Sequence, residues 1–317
     1  MGCKFNPGLR NMEAIYDTYI TLYNKNKKDF DNEYDFYFYD GGNEKFSVEK
    51  YKEYANIIHC VSGDDISNTY QKSLESYKWI VENKKYDWII RVNISTYINL
   101  YVLDKFLNCA NKNTIYANQF CAYLYNWHYL NDCFPRGDAH IIHFEIFKKA
   151  IEKSEELDIS KINDGTDKVD DVLLGMLYIK AYEDLYVNNY QTIYYNFLPE
   201  EINDIKNNPK LLNDSAYCIF TRLKTCPPNT QSSYSWNDNE YRQQDIIKFE
   251  IINFLIEKNK KIYNSVSNSD IFNGITENSN INCLIPYMNL EKSSLDSISF
   301  EDLKNVIIKK HSKDIIY

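Results

Sequence analysis

The chain has no CxxC pair, no Gly-rich phosphate loop and no run approaching 18 apolar residues, and each absence removes a class of function. Its eight cysteines (Cys3, Cys60, Cys109, Cys121, Cys133, Cys218, Cys226 and Cys283) are scattered rather than spaced for metal. They read as reduced, mostly buried thiols of a cytosolic protein, with a Cys218–Cys226 bridge as the alternative in a secreted one. No secretory apolar segment opens the sequence, so no transmembrane segment and a cytoplasmic location are expected. Clustered Lys and Arg are missing too. The formal net charge of −9 argues against broad contact with nucleic-acid phosphates, while leaving room for one basic pocket around a small phosphate ligand.

What is abundant is tyrosine, 29 of 317 residues, with Asn, Lys and Ile also heavily used. That bias fits a microbe or virus with an AT-rich genome better than 29 functional phenols. Apolar residues, 44 % of the chain, suffice for a substantial core.

Strands and helices alternate along the chain. "YDFYFYDGG" and "ANIIHCVSGDD" read as strands with turn stops, and Ser67 or Asn68 can cap a helix through "TYQKSLESYKWIVENKK". "NTIYANQFCAYLY" and "DSAYCIFTRLK" read as later strands. "FEIFKKAIEKSEEL", "VDDVLLGMLYIKAYED" and "NEYRQQDIIKFEIINFLIEKNKK" read as helices. The pattern predicts an α/β fold with a mostly parallel sheet covered by helices. One domain over residues 1–262 is expected, then a polar linker and a small helical extension over 263–317 around "SFEDLKNVIIKK". No internal repeat is visible.

Ligands of open parallel sheets sit beyond the carboxyl ends of the strands, so the junctions matter most. "YDWIIRVNISTYINLYVLDKFL" begins as a buried strand and ends as a helix, with Arg91, Asn93, Ser95 and Thr96 between and no carboxylate there to hold a metal. "RGDAHIIHFEIF" places Gly137, Asp138, His140 and His143 together. "DGTDKVDDVLLG" carries Asp164, Asp167, Asp170 and Asp171, and "FTRLK…NDNEYRQQD" carries Arg222, Lys224, Arg242 and Asp245. Each has a structural alternative. Asn93 and Ser95 can cap a helix, Asp170 and Asp171 can offset a helix dipole, and Arg222 and Lys224 can be solvated charges on one strand face. His140 and His143 lack metal-pair spacing and read as packed or surface histidines.

The order of these clusters resembles glycosyltransferases of the Fringe and β1,3-galactosyltransferase type. "WIIRVNISTYINLYVLDKFL" aligns without a gap to that family's strand, K-T-D-D-D and following V-N-L, with Asn93-Ile94-Ser95 in place of the three aspartates. "NTYQKSLESYKWIVEN" is similar to its N-L-T-x-K-T helix, with Lys72 at the lysine. "FPRGDAHIIHFEIFKKAIE" resembles its P-x-x-x-G segment, and "DDVLLG" its E/D-D-V-x-x-G motif, the most specific match. The resemblance spans about Arg10 to Leu255 and implies a GT-A-type fold. The family's first nucleotide-binding strand should precede Arg10, where only "MGCKF" is available.

It further implies a nucleotide-sugar donor, expected to be UDP-linked, and transfer to a glycan or protein hydroxyl, with inversion. Asp171, then Asp170, would be the base. Arg91, Asn93, Ser95, Lys72, Arg222 and Lys224 would lie on the donor side, and Gly137, Asp138 and His143 on the acceptor side. The family's divalent metal, manganese or magnesium, would bind at D-D-D. Asn93 and Ser95 supply no charge for a hard cation, so the diphosphate is expected to rest on protein cations, with metal not required. The alternative is an inactive relative that binds carbohydrate, with Trp127 and Trp236 available for stacking.

Overall fold

The computed structural model describes residues 6–65, 68–121, 133–157, 170–185, 190–193, 195–198, 201–216, 218–225 and 239–271. The expected C-terminal helix, Trp127 and Trp236 lie outside the described residues. The chain divides into two compact units, each built from separate stretches. Phe36–Asn93 and Ala110–Ile193 belong to the first, Leu9–Asp35, Ile94–Cys109 and the residues after Ile193 to the second. The last helix runs on to Ser265, past the expected boundary at 262.

In the first unit, β1 (Phe36–Asp40), β2 (Ser47–Tyr51) and β3 (Ala55–His59) form a sheet in the order β1-β3-β2. The alternation of "FYFYD" turns Tyr37 and Tyr39 to one face. There they pack with Ile58, Cys60 and Val48 against Ile80 of α3 (Thr69–Asn83) and Phe144 of α5 (Phe144–Glu152). A second sheet, β4-β7-β6-β8, joins Trp88–Val92, Cys133–His143, Ile115–Cys121 and Tyr190–Thr192 in that order. Tyr70, Leu74 and Tyr77 of α3 recur at helical spacing. They meet Ile146, Phe147 and Ala150 of α5 and Leu173, Leu174, Leu177 and Tyr178 of α6 (Asp170–Leu185) in one core.

The second unit holds β5 (Thr96–Ile98), β9 (Tyr195–Phe197) and β10 (Phe220–Arg222) in the order β5-β10-β9. With them are α1 (Asn6–Ile15) from Leu9 onward, α2 (Thr21–Lys25), α4 (Leu100–Leu107), α7 (Ile202–Asn207) and the long α8 (Asn239–Ser265). A single π turn over Tyr16–Ile20 links α1 to α2. Tyr101 of α4 stacks on Tyr263 of α8 at 5.6 Å.

The class is α/β, but the sheets are mixed rather than mostly parallel. β1/β3, β6/β8 and β9/β10 pair parallel, while β2/β3, β4/β7, β6/β7 and β5/β10 pair antiparallel. Connection length is the reason for two of these. Three residues separate β2 from β3 and eleven separate β6 from β7, too few for the helical crossover that parallel neighbours need.

Other departures are local. Asn93 and Ser95 cap no helix; β5 follows them, and Asn99 caps α4 by accepting from the Val102 N–H at 3.4 Å. β10 ends at Arg222, so Lys224 is not beside it on the strand. Before α3, Asn68 makes no side-chain cap, and its amide instead donates to Asp65 at 2.8 Å.

Asp104 of α4 anchors the segment before β1. Its buried carboxylate accepts from the N–H of Asp31 (2.9 Å), the N–H and side chain of Asn32 (both 3.0 Å) and the Tyr34 hydroxyl (3.1 Å). Asp104→Ala orphans these donors and is expected to cost about 3 kcal/mol in urea unfolding, against about 0.5 kcal/mol for an exposed charge such as Glu33→Ala.

Candidate functional site

β1 and β3 run parallel, and their carboxyl ends carry a tight pair of loops. The Gly42 N–H donates to Ser62 O at 2.6 Å and the Asn43 N–H to Cys60 O at 3.1 Å. Gly42 has φ +72°, and a Cβ on Gly41 would stand 2.3 Å from Ser62 O and 2.8 Å from Gly63 O. Glycine at both positions is what lets the loops close. Helix α3 fixes them from behind. The Glu75 carboxylate accepts from the N–H groups of Val61 (2.8 Å) and Ser62 (3.1 Å) and from the Ser62 hydroxyl.

Lys72 of α3 lies within this arrangement. Its side chain is 1 % exposed, and its ammonium donates to Asp64 Oδ1 at 2.5 Å. Among the described residues, the other oxygen of Asp64 is buried without a hydrogen-bond partner. The Cys60 thiol donates to Lys72 O at 3.4 Å, and burial, aided by Glu75, pushes its pKa up to about 12, so it is an inert packing group. Lys72 therefore positions Asp64 and the glycine loops rather than standing open to a diphosphate.

The second cluster of this unit forms where β4 meets β7. Opposite β6 the ladder steps from Ala117/His140 to Gln119/Pro135, so residues 136–139 bulge from β7. Toward β4 the register is unbroken through Val92/Ala139. Gly137 O accepts from the Arg91 guanidinium, and Asp138 O from the Asn93 N–H at 2.8 Å. Arg91 is 8 % exposed; Gly137, Asp138 and Asn93 are half-buried.

Beside Arg91, His140 is buried and shares a 2.8 Å hydrogen bond with Tyr178 of α6. Burial, reinforced by the Arg91 charge, holds its pKa well below the usual histidine value. His143 caps α5 by accepting from the Glu145 N–H and sets its ring edge-on to Trp88. Burial, then Lys112, lowers its pKa too. Asp170 opens α6 and Asp171 follows. The side chains of both lie outside the described residues.

Ser95, Arg222 and Lys224 belong to the second unit. Ser95 is 1 % exposed, and its carbonyl accepts from the Leu223 N–H at 2.9 Å. Arg222, 4 % exposed, donates to Thr96 Oγ1 at 3.3 Å, and Lys224 is half-buried. The buried Asn11 amide of α1 donates to Ile94 O at 3.3 Å.

Asp40, Asn43 and His59 form a further polar group, taken in the sequence only as strand residues and turn stops. Asp40 ends β1 and His59 ends β3, so the strand-end rule applied to "YFYDGG" and "IIHCV" would have found them.

The donor set does not suit the family's metal. Neither Asn93 nor Ser95 offers a carboxylate, and Ser95 is closed to solvent. Among the described residues, no three His, Cys, Asp or Glu side chains group to hold an ion. No helix among them is long and apolar enough to cross a membrane. No protein-family model matches the chain, and no curated protein matches it significantly.

Two measurements test these roles. Lys72→Met strands a buried carboxylate and is expected to destabilise by about 3–5 kcal/mol, with Lys72→Met/Asp64→Leu restoring most of the loss in denaturant titrations. His140, kept neutral by the fold, is protonated more readily in the unfolded chain below about pH 6.5. The unfolded state then binds more protons, so stability falls as pH drops through that value. The fall in urea midpoint from pH 7 to pH 5 is expected to be smaller in His140→Gln than in the wild type.

Proposed function

We propose that the chain is a glycosyltransferase of GT-A type that moves a sugar from a nucleotide-sugar donor, UDP-linked, to a hydroxyl of a glycan or protein. One observation carries the reading. The segment resembling the family's strand and D-D-D, and the segment resembling its P-x-x-x-G stretch, meet through Arg91 to Gly137 and Asn93 to Asp138. About 45 residues of sequence separate them, so it is the fold that brings them together.

In this reading the carboxyl ends of β1 and β3 take the nucleoside. Arg91 supplies fixed positive charge for the diphosphate, a charge little screened because it is buried. Asp171, with Asp170 as the alternative, removes the proton from the attacking hydroxyl, and the electron pair of the donor's anomeric C–O bond leaves with the nucleoside diphosphate. Asp138 is the acid the structure brings beside Asn93, where the aligned aspartates are missing. That lack of acids favours a second reading, a relative that binds carbohydrate without catalysis.

Calorimetric titration of UDP and GDP, with manganese and then with EDTA, separates these. UDP is expected to bind in EDTA, more weakly in Arg91→Lys and unchanged in Asp171→Ala, while Asp171→Ala loses turnover by at least about 100-fold. Binding that requires manganese and vanishes in Asp138→Asn would make Asp138 a metal ligand. Without nucleotide binding under any condition, the transferase reading falls.

A further inference from the structure

Lys84 follows α3 as its C-cap and is exposed, and among the described residues no carboxylate pairs with its ammonium. The ammonium lies instead over two aromatic rings, 5.9 Å from the centroid of Tyr37 and 5.9 Å from that of Trp79. An alkylammonium group of this chain thus already occupies a surface made of rings.

The fold builds that surface. Tyr37 comes from β1, three residues before the strand ends at Asp40, and Trp79 comes from α3. Their centroids are 5.9 Å apart and their planes are tilted by 58°, which leaves an open V between them. Both rings are half-buried and pack against the core of Ile58, Cys60, Ile80 and Phe144. The Tyr37 hydroxyl shares a 3.1 Å hydrogen bond with that of Tyr86. The cleft is therefore fixed before any ligand arrives.

Aromatic faces carry negative potential and draw cations. A primary ammonium suits this cleft poorly, because it is strongly hydrated and its three N–H donors seek acceptors. A quaternary ammonium has no N–H to satisfy, and its methyl groups fill the space between tilted rings. We propose that the Tyr37–Trp79 cleft binds a trimethylammonium group of the kind choline carries, and that Lys84 is its displaceable occupant. On binding, the Lys84 side chain returns to water, and the contacts it gives up are exposed and weak. The site draws nothing from nucleotide binding and stands or falls separately from the transferase reading.

The full chain, with its tryptophan indoles labelled with nitrogen-15, is titrated with choline chloride and with its uncharged tert-butyl isostere, in which carbon replaces nitrogen. Choline is expected to shift the Trp79 indole signal, and the isostere to bind at least about fivefold more weakly. Lys84→Ala empties the cleft and is expected to tighten choline binding by at least about threefold, whereas Tyr37→Leu weakens it by at least about fivefold. Lys84 is exposed, so Lys84→Ala keeps the wild-type melting temperature. Cosedimentation with phosphatidylcholine vesicles, lost in Tyr37→Leu, assigns the group to a lipid head; choline binding without cosedimentation assigns it to a free ligand. No Trp79 shift in either the wild type or Lys84→Ala, equal binding of the isostere, or no gain in Lys84→Ala overturns the proposal.

Discussion

A lysine ammonium out of reach of water dictates much of the first unit. Lys72 is 1 % exposed, and a charge so placed needs a counter-charge at contact distance. Asp64 supplies it, so the loop after β3 must fold back over α3. The Lys72 stem in turn passes within 2.9 Å of where a side chain on Gly41 would begin, so the loop after β1 has no room for anything larger than glycine. Helix, both loops and both strand ends are thereby fixed together. Glu75, one turn further along α3, repeats the arrangement by taking the N–H groups of Val61 and Ser62.

The bulge in β7 works by a different principle. Sheets normally consume their backbone groups in the ladder, leaving none for other partners. Residues 136–139 step out of register with β6, and Gly137 O accepts from a guanidinium, while Asp138 O continues the β4 ladder by accepting from the N–H just past it. The polar surroundings of Arg91 are therefore made by backbone. Buried His140 adds an uncharged neighbour, since a second positive charge beside Arg91 would be strongly unfavourable.

Legibility in the sequence followed how local each signal is. β1, β3, α3, α5, α6 and α8 were readable because alternation or helical spacing marks them within a few residues. β7 was not: Pro135, Gly137 and Asp138 are turn residues, and only pairing on both sides makes the segment a strand. β5 is three residues long and exists because β10 lies against it. The neighbourhood of Arg91 was legible as a polar junction, whereas burial of Lys72, Ser95 and Arg222 was not, because composition does not say which charges the fold encloses. Asp40 and His59 passed as strand ends since their pairing depends on parallel register between segments 15 residues apart.

The chain leaves the first unit after Asn93, returns at Ala110 and leaves again after Ile193. Neither unit is a continuous fragment, so neither can be excised by trimming the chain from one end. During synthesis, β8, the last strand of the β4-β7-β6-β8 sheet, appears only when residue 190 has left the ribosome. The second unit must wait longer, for the helix that ends at Ser265. Until then the apolar face of α4 has no α8 to cover it, and such exposed surface invites misassembly. Folding dominated by partners so far apart in sequence is intrinsically slow. The route by which the chain threads its two units thus makes the first core wait for residue 193 and the second for Ser265, so the two close at different points of synthesis.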